Sequence, residues 1–233
     1  IGLMASSGIV FNQWNFMRNK ELGINKDWIL SVPLQTMDRN EIHTFSDELL
    51  NNPSITNVGF SNMRMPGWIG NSTSYTAEDV NADEEVNKSM KLVRVDDDFF
   101  STVQAQILEG RNFSEDFPSD TVNSIIINES AAAQLGWKDP VGRWMQLGGV
   151  RYTVVGLVRD FHFESLHRKI PPTIFLLATR SLNWAYVKLD SSGKEKSLEH
   201  LKRTYRKYVT NRDFTFSFLD DDIDQQYVAE KKF

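Results

Sequence analysis

Apolar positions change their spacing along this chain, and each change marks an element. "WILSVPLQ" (Trp28–Gln35) is a β-rich run broken by polar residues, which predicts a buried strand. Asp38 with Glu41 three residues later forms a capping-box pattern. Ile42, Phe45 and Leu49 then recur at helical spacing, and Asn51-Asn52-Pro53 ends the helix. "SITNVGFS" (Ser54–Ser61) predicts a second strand, completing a β-α-β unit. A similar unit lies far downstream. "NWAYVKLD" (Asn183–Asp190) alternates, "SSGKEK" turns the chain, and Leu198, Leu201, Tyr205 and Tyr208 mark one face of a helix. "DFTFSFLD" (Asp213–Asp220) alternates again, with Phe214, Phe216 and Phe218 on one side. The last stretch, "DDDIDQQYVAEKKF", predicts a helix whose acids gather at its start, as the helix dipole favours.

The middle has a different texture. Met63 to Asn87 is rich in Gly, Ser, Thr, Asn and acids, and predicts a long loop or irregular hairpin. Short strands follow: "KLVRV", "AQILEGR", "SIIIN", "RWMQL" and "RYTVVGLV". Gly148-Gly149 is a two-residue hairpin signal. Asn128 can cap the short helix "ESAAAQL", which Gly136 ends. The expected fold class is α+β. Neither β-α-β unit buries its apolar face alone, so the two are expected to pair in a split, ferredoxin-like sheet with both helices on one face. The middle is an insert of mostly antiparallel strands.

Composition narrows the function. The net charge of −5 over 233 residues gives no electrostatic case for nucleic acid. The absence of cysteine removes disulfides, thiolate catalysis and Cys-ligated metals. The uncharged start, Ile1 to Met17, is shorter than the roughly 20 apolar residues a spanning helix needs. It reads either as a leader or surface helix, or as the stub of a spanning helix.

Candidate chemistry is sparse. "VVGLVRDFHFESLHRKIPP" (Val154–Pro172) places His162, Glu164 and His167 near Asp160. Five residues on a strand put the two histidines on opposite faces, so a strand edge that bends into Pro171-Pro172 competes with a metal or acid–base site. His43 and His200 fall on helices and form no triad legible in sequence. Asp96-Asp97-Asp98 and Asp220-Asp221-Asp222 with Asp224 suggest calcium, but the calcium-loop pattern fails from Asp220, where Gln225 and Lys231 hold the positions that need Gly and Glu. Helix capping is the plainer role for both runs. Lys194, Lys196, Lys202, Arg203, Arg206, Lys207 and Arg212 make one helix basic, either a solvated face or a docking surface. Met63, Met65 and Trp68, in "NMRMPGWIG", either form an exposed loop that contacts a partner or substrate, or fold back on the core. No nucleotide-binding or hydrolase motif is present. No catalytic, cofactor-binding or metal-binding residue is assigned, and no cofactor is expected.

Five stretches together resemble the periplasmic core domain of MacB/FtsX-like ABC transporter permeases, in the form common in Bacteroidetes. They are "NKELGINKDWIL", "VRVDDDFFSTVQAQILEGRNFS", "IIINESAAAQLGWKDPVGRWMQL", "YTVVGLVRDFHFESLHRKIPP" and "FSFLDDDIDQQYVAEKK". The resemblance implies a Porter-like subdomain from residues 13–62 and 181–233, and an inserted Sabre-like subdomain over 63–180. Residues 1–12 would be a leader or the remnant of a spanning helix. It implies a domain outside the inner membrane that transmits ATP-driven motion for export, the insert rotating on a rigid Porter-like core. The implied partners are an ABC-type ATPase subunit, a second permease copy, and a periplasmic adaptor or outer-membrane protein. Two other classes stand beside it: an extracellular sensor or ligand-binding module, and a hydrolase or metal enzyme centred on His162, Glu164 and His167.

Overall fold

A computed structural model describes residues 28–67, 69–79, 89–162, 169–178, 180–190 and 194–230. Strand β1 (Ile29–Asp38) leads directly into helix α1 (Arg39–Leu50). The capping box forms: the Asp38 carboxylate accepts the Glu41 N–H at 2.9 Å, and Glu41 accepts the Asp38 N–H at 2.9 Å. Ile42, Phe45 and Leu49 are buried, each contributing about 1.5–3 kcal/mol on burial. Strand β2 (Ile55–Ser61) completes the first unit. The insert follows as β3 (Ser72–Ala77), β4 (Ser89–Val95), α2 (Phe99–Thr102), β5 (Ile107–Gly110), a 3-10 turn, β6 (Ser124–Asn128), α3 (Glu129–Leu135), β7 (Trp144–Leu147), β8 (Val150–Val158) and β9 (Thr173–Leu177). The chain returns through β10 (Arg180–Leu189), α4 (Lys194–Tyr208), β11 (Ser217–Phe218) and α5 (Leu219–Glu230).

Strands run in the order β11-β1-β10-β2 at one side, with β10 antiparallel to both β1 and β2. Helices α1 and α4 cover one face of this flanking sheet. Glu48 of α1 clasps α4, accepting from Lys207 and, at 3.3 Å each, from Thr204 and Tyr208. The join to the insert is narrow in hydrogen-bonding terms: β2 meets β4 at a single pair, Ser61 with Val95. Beyond it, β4, β3, β7, β8, β6 and β9 pair in turn, and β9 pairs back onto β4, so the ladder closes on itself. The Gly148-Gly149 hairpin forms, with φ of 56° and 87°.

Register fixes which end of the flanking sheet does what. Ile29 pairs with Lys188 and Leu30 with Phe218, while Asp38 pairs with Arg180. The chain therefore enters β1 and reaches β11 at one end of the sheet. The return from the insert, at Arg180, lies at the other end.

Three cores follow from the alternation. Leu30, Val32, Leu34, Ala185 and Val187 face α1 and α4. Tyr75, Met90, Ile125, Ile127, Met145 and Val154 form a core within the insert, with Ala131 and Leu135 of α3. Between them lies a middle core that both parts share. It takes Ile29, Tyr186, Leu219 and Ile223 from the flanking side, and Val93, Phe99, Phe100, Ile126, Phe161 and Phe175 from the insert.

Within Met63–Asn87 lies a strand, β3, antiparallel to β4, which fits the irregular hairpin expected there, although its polar sequence "STSYTA" gave no strand signal. The insert is mostly antiparallel, as expected, with β4–β9 and β6–β8 as its parallel pairs. Of "DFTFSFLD", only Ser217–Phe218 pairs as strand. The rings of Phe214 and Phe216 meet at a tilt at 5.6 Å, and those of Phe216 and Phe218 edge-on at 5.9 Å.

Candidate functional site

The region with most structure to it is the seam between flanking sheet and insert, and it is built from three kinds of contact. The first is aromatic. Phe99 of α2 meets Tyr186 of β10 edge-on at 5.6 Å and Phe100 at 5.5 Å. Phe100 meets Phe175 of β9 at 5.0 Å, and Phe161 stacks on Phe175 at 6.0 Å. All five rings are buried. Such pairs add about 0.5–1.5 kcal/mol each beyond area burial. The chain of rings runs from the flanking sheet into the insert without a break. It exists because Gly59 of β2 has no side chain: a Cβ there would lie 2.7 Å from Phe99 Cα and 2.8 Å from Thr102 Oγ1. A glycine inside a strand often marks such a close approach.

The second kind is polar and buried. The Tyr186 hydroxyl donates to the Met63 carbonyl at 2.7 Å and accepts the Met65 N–H at 2.8 Å. Burial pushes this phenol's pKa up. The segment after β2 is thus pinned under the sheet. Arg64 carries the pinning to α5 through Asp222, 2.9 Å away, and Asp222 also accepts from Ser217 at 2.5 Å. Across the join, the Asp96 carboxylate accepts the Phe60 N–H at 2.7 Å, and the Asp96 N–H donates back to the Phe60 carbonyl at 3.1 Å. Burial raises the Asp96 pKa well above the ordinary carboxylate range, although the Phe60 bond opposes it.

The third kind is an ionic cluster at the surface. Arg39 of α1 donates to Glu115 of the insert at 2.6 Å, and His43 Nε2 lies 2.9 Å from the same carboxylate. Arg39 Nε is 3.2 Å from His43 Nε2, so that nitrogen either accepts from Arg39 or, when protonated, donates to Glu115. The Arg39 hydrogen bond holds the Glu115 pKa below its usual value. The cleft beneath, lined by Arg39, His43, Phe60 and Asp96 to Asp98, has about 30 Å³, room for about one water. It is a joint rather than a ligand pocket.

Asp96, Asp97 and Asp98 can bring carboxylate oxygens within 4.8 Å of one another. Asp96 is already committed to the Phe60 N–H. The capping expectation for this run is overturned. Asp98, at the N-cap of α2, has helical φ and ψ of −89° and −7°, and its side chain caps nothing. An N-cap carboxylate needs an extended backbone to reach the following amides. The Asp98 carbonyl instead accepts from Ser101 and Thr102 hydroxyls at 2.8 Å.

The histidine stretch resolves into a clamp. Asp160 accepts from the Ser130 amide at 3.0 Å and hydroxyl at 2.5 Å, and its own N–H donates to Glu129, tying the exit of β8 to α3. His162 is half-buried beside it; Glu164 and His167 lie outside the described residues. Met63 packs against the middle core and Met65 is buried in it, whereas Trp68 lies outside the described residues. Sequence reasoning missed Gly59, Asp96, Phe99, Phe100 and Tyr186 as seam residues. The Gly inside "SITNVGFS" was the signal that could have found the first. Among the described residues, no helix is long and apolar enough to cross a membrane.

Comparison with known proteins places this geometry. The family described as MacB-like periplasmic core domain matches residues 25–201. The fold is similar to the periplasmic region of MacB from Actinobacillus actinomycetemcomitans, at 14% identity and a TM-score of 0.58 over 91% of this chain and 96% of that one. It is also similar to the extracellular domain of the noncanonic ABC-type transporter YknZ from Gram-positive bacteria, at 14% identity and a TM-score of 0.53 over 77% of this chain and 92% of that one. No curated protein sequence matches the chain.

Proposed function

This chain belongs to the family of MacB-like periplasmic core domains, and on that premise we propose that it transmits ATP-driven movement across the inner membrane within an ABC transporter permease, for export. Residues 13–62 and 181–233 take the Porter-like role and residues 63–180 the Sabre-like role. The strand order β11-β1-β10-β2, with α1 and α4 on one face, supports the first assignment, and the closed ladder supports the second. The end of the flanking sheet where the chain enters β1 and reaches β11 faces the bilayer; the insert projects away from it. ATP is hydrolysed by a separate ABC-type subunit or domain. A second permease copy and a periplasmic adaptor or outer-membrane protein complete the assembly. The part of Met63 and Met65 is to hold the segment after β2 against the seam, and Trp68 is left the role of contacting a partner or substrate.

One observation carries this reading: the middle core belongs to both parts. A lever needs its arm joined to its fulcrum. Moving the insert alone would separate the buried rings of Phe99, Phe100 and Phe175 from Tyr186, breaking the Phe99–Tyr186 contact. The insert therefore moves with the flanking sheet as one body, rather than rotating on it as the resemblance implies. This is a rigid-body device of the kind that amplifies small displacements.

The test uses the intact transporter with Phe99→Ala, and with Phe99→Leu as the milder variant in case the first does not fold. Export should fall while ATP turnover persists. Export and turnover both at the unsubstituted level, in a folded variant, would refute the lever.

A further inference from the structure

A cavity of about 450 Å³ lies at the end of the flanking sheet where the chain enters β1, lined by Trp28, Lys194, Phe218, Asp220 and Asp221. Four segments converge there. Trp28 precedes β1 and its carbonyl accepts the Leu189 N–H at 2.8 Å. Lys194 opens α4. Phe218 ends β11, and Asp220 and Asp221 open α5. Trp28 holds φ at 61°, a region bulky side chains rarely adopt. In that conformation its indole lies 3.1 Å (ring centroid) from the Lys194 ammonium. The cavity thus has an aromatic wall, one cation and two carboxylates.

That combination selects its ligand by charge. A bare anion meets two carboxylates against one ammonium. A simple cation meets Lys194. A zwitterion satisfies both: its phosphate oxygens accept from the Lys194 ammonium, while its own ammonium sits between the carboxylates and the aromatic rings. A primary ammonium brings N–H donors for Asp220 and Asp221. A trimethylammonium brings none and can only stack. Aromatic and basic side chains at the edge nearest a bilayer are where headgroups are met. Resting on the orientation given under the proposed function, we propose that this cavity binds the phosphoethanolamine headgroup of a bilayer lipid, docking the flanking sheet on the membrane surface. Lys194 holds the phosphate, and Asp220 and Asp221 the amine.

The test titrates the chain with glycerophosphoethanolamine, glycerophosphocholine and inorganic phosphate, following the Trp28 indole N–H signal. It then sediments the chain with vesicles of phosphatidylcholine, alone or mixed with phosphatidylethanolamine. Glycerophosphoethanolamine should bind best, and Lys194→Gln and Asp221→Asn should each weaken it roughly tenfold. The mixed vesicles should retain more protein. Equal binding of phosphate, or unaltered binding by both variants, would overturn the site. Binding of the soluble headgroup with no preference among vesicles would overturn the bilayer as its source. None of these outcomes alters the export result for Phe99 variants, so the headgroup site and the lever can fail separately.

Discussion

Replacing Tyr186 by Phe removes one oxygen from the middle core and leaves the ring contact with Phe99 at 5.6 Å intact. The two hydrogen bonds lost are unequal. The Met63 carbonyl keeps the Ser61 hydroxyl at 2.5 Å, so it stays satisfied. The Met65 N–H loses the acceptor it had at 2.8 Å, in a buried setting. An orphaned buried donor costs about 1–3 kcal/mol. At this chain length each kcal/mol lowers Tm by about 2–4 °C. Tyr205→Phe is the comparison. Its hydroxyl donates to the Pro33 carbonyl at 3.0 Å, so its loss strands an acceptor only and should cost about 1 kcal/mol. Urea unfolding of both variants measures the difference, with m-values expected to match the unsubstituted chain. If Tyr186→Phe cost no more than Tyr205→Phe, the hydroxyl would not be what pins the segment after β2, and the polar half of the seam would be wrong.

Gly59→Ala should destabilise by about 1–3 kcal/mol, since its Cβ would press on the backbone of α2; a thermal scan checks it, and an unchanged Tm would contradict the close approach. Asp96→Asn keeps an oxygen for the Phe60 N–H but cannot ionise. Because the folded pKa of Asp96 is raised, the native aspartate loses stability as pH rises from its unfolded value through its folded one. The variant's advantage in Tm should therefore grow through that window and level off above it; a pH-independent difference would refute the burial. Glu48→Gln should cost about 0.5–1 kcal/mol by loosening α1 from α4. The Lys207 hydrogen bond lowers the Glu48 pKa, so this cost should be full above the ordinary glutamate range and fade as pH falls through the lowered pKa. Chemical unfolding at several pH values would show it.

Legibility followed locality. The Asp38–Glu41 capping box, the Gly148-Gly149 hairpin and the Asn128 cap of α3 depend on neighbours, and each formed where it was expected. Strand β9 was not foreseen, because "TIFLL" follows two prolines and is a continuous apolar run without alternation. Its place explains that composition: it pairs with β4 on one side and β6 on the other, with Ile174 and Phe175 buried in different cores. The seam was beyond sequence reading for the same reason. Phe99, Phe175 and Tyr186 are brought together by pairings between distant segments, and nothing near each of them in sequence records the others. The Asp96 run shows the converse. Its local pattern suggested caps, and a tertiary contact with Phe60 decided its role instead.

The central claim is that flanking sheet and insert move as one. Asp47, exposed on α1, and Val150, 46% exposed on β8, lie on the two parts. This domain has no cysteine of its own, so Asp47→Cys with Val150→Cys, in one permease copy of a transporter freed of cysteine elsewhere, gives a single spin-label pair. The most direct measurement is the distance between those labels in the intact transporter, with and without ATP. One distance distribution, the same in both states, is what a shared core requires. A distance that changes with ATP would mean the insert turns on the sheet, and the single-body lever would be wrong.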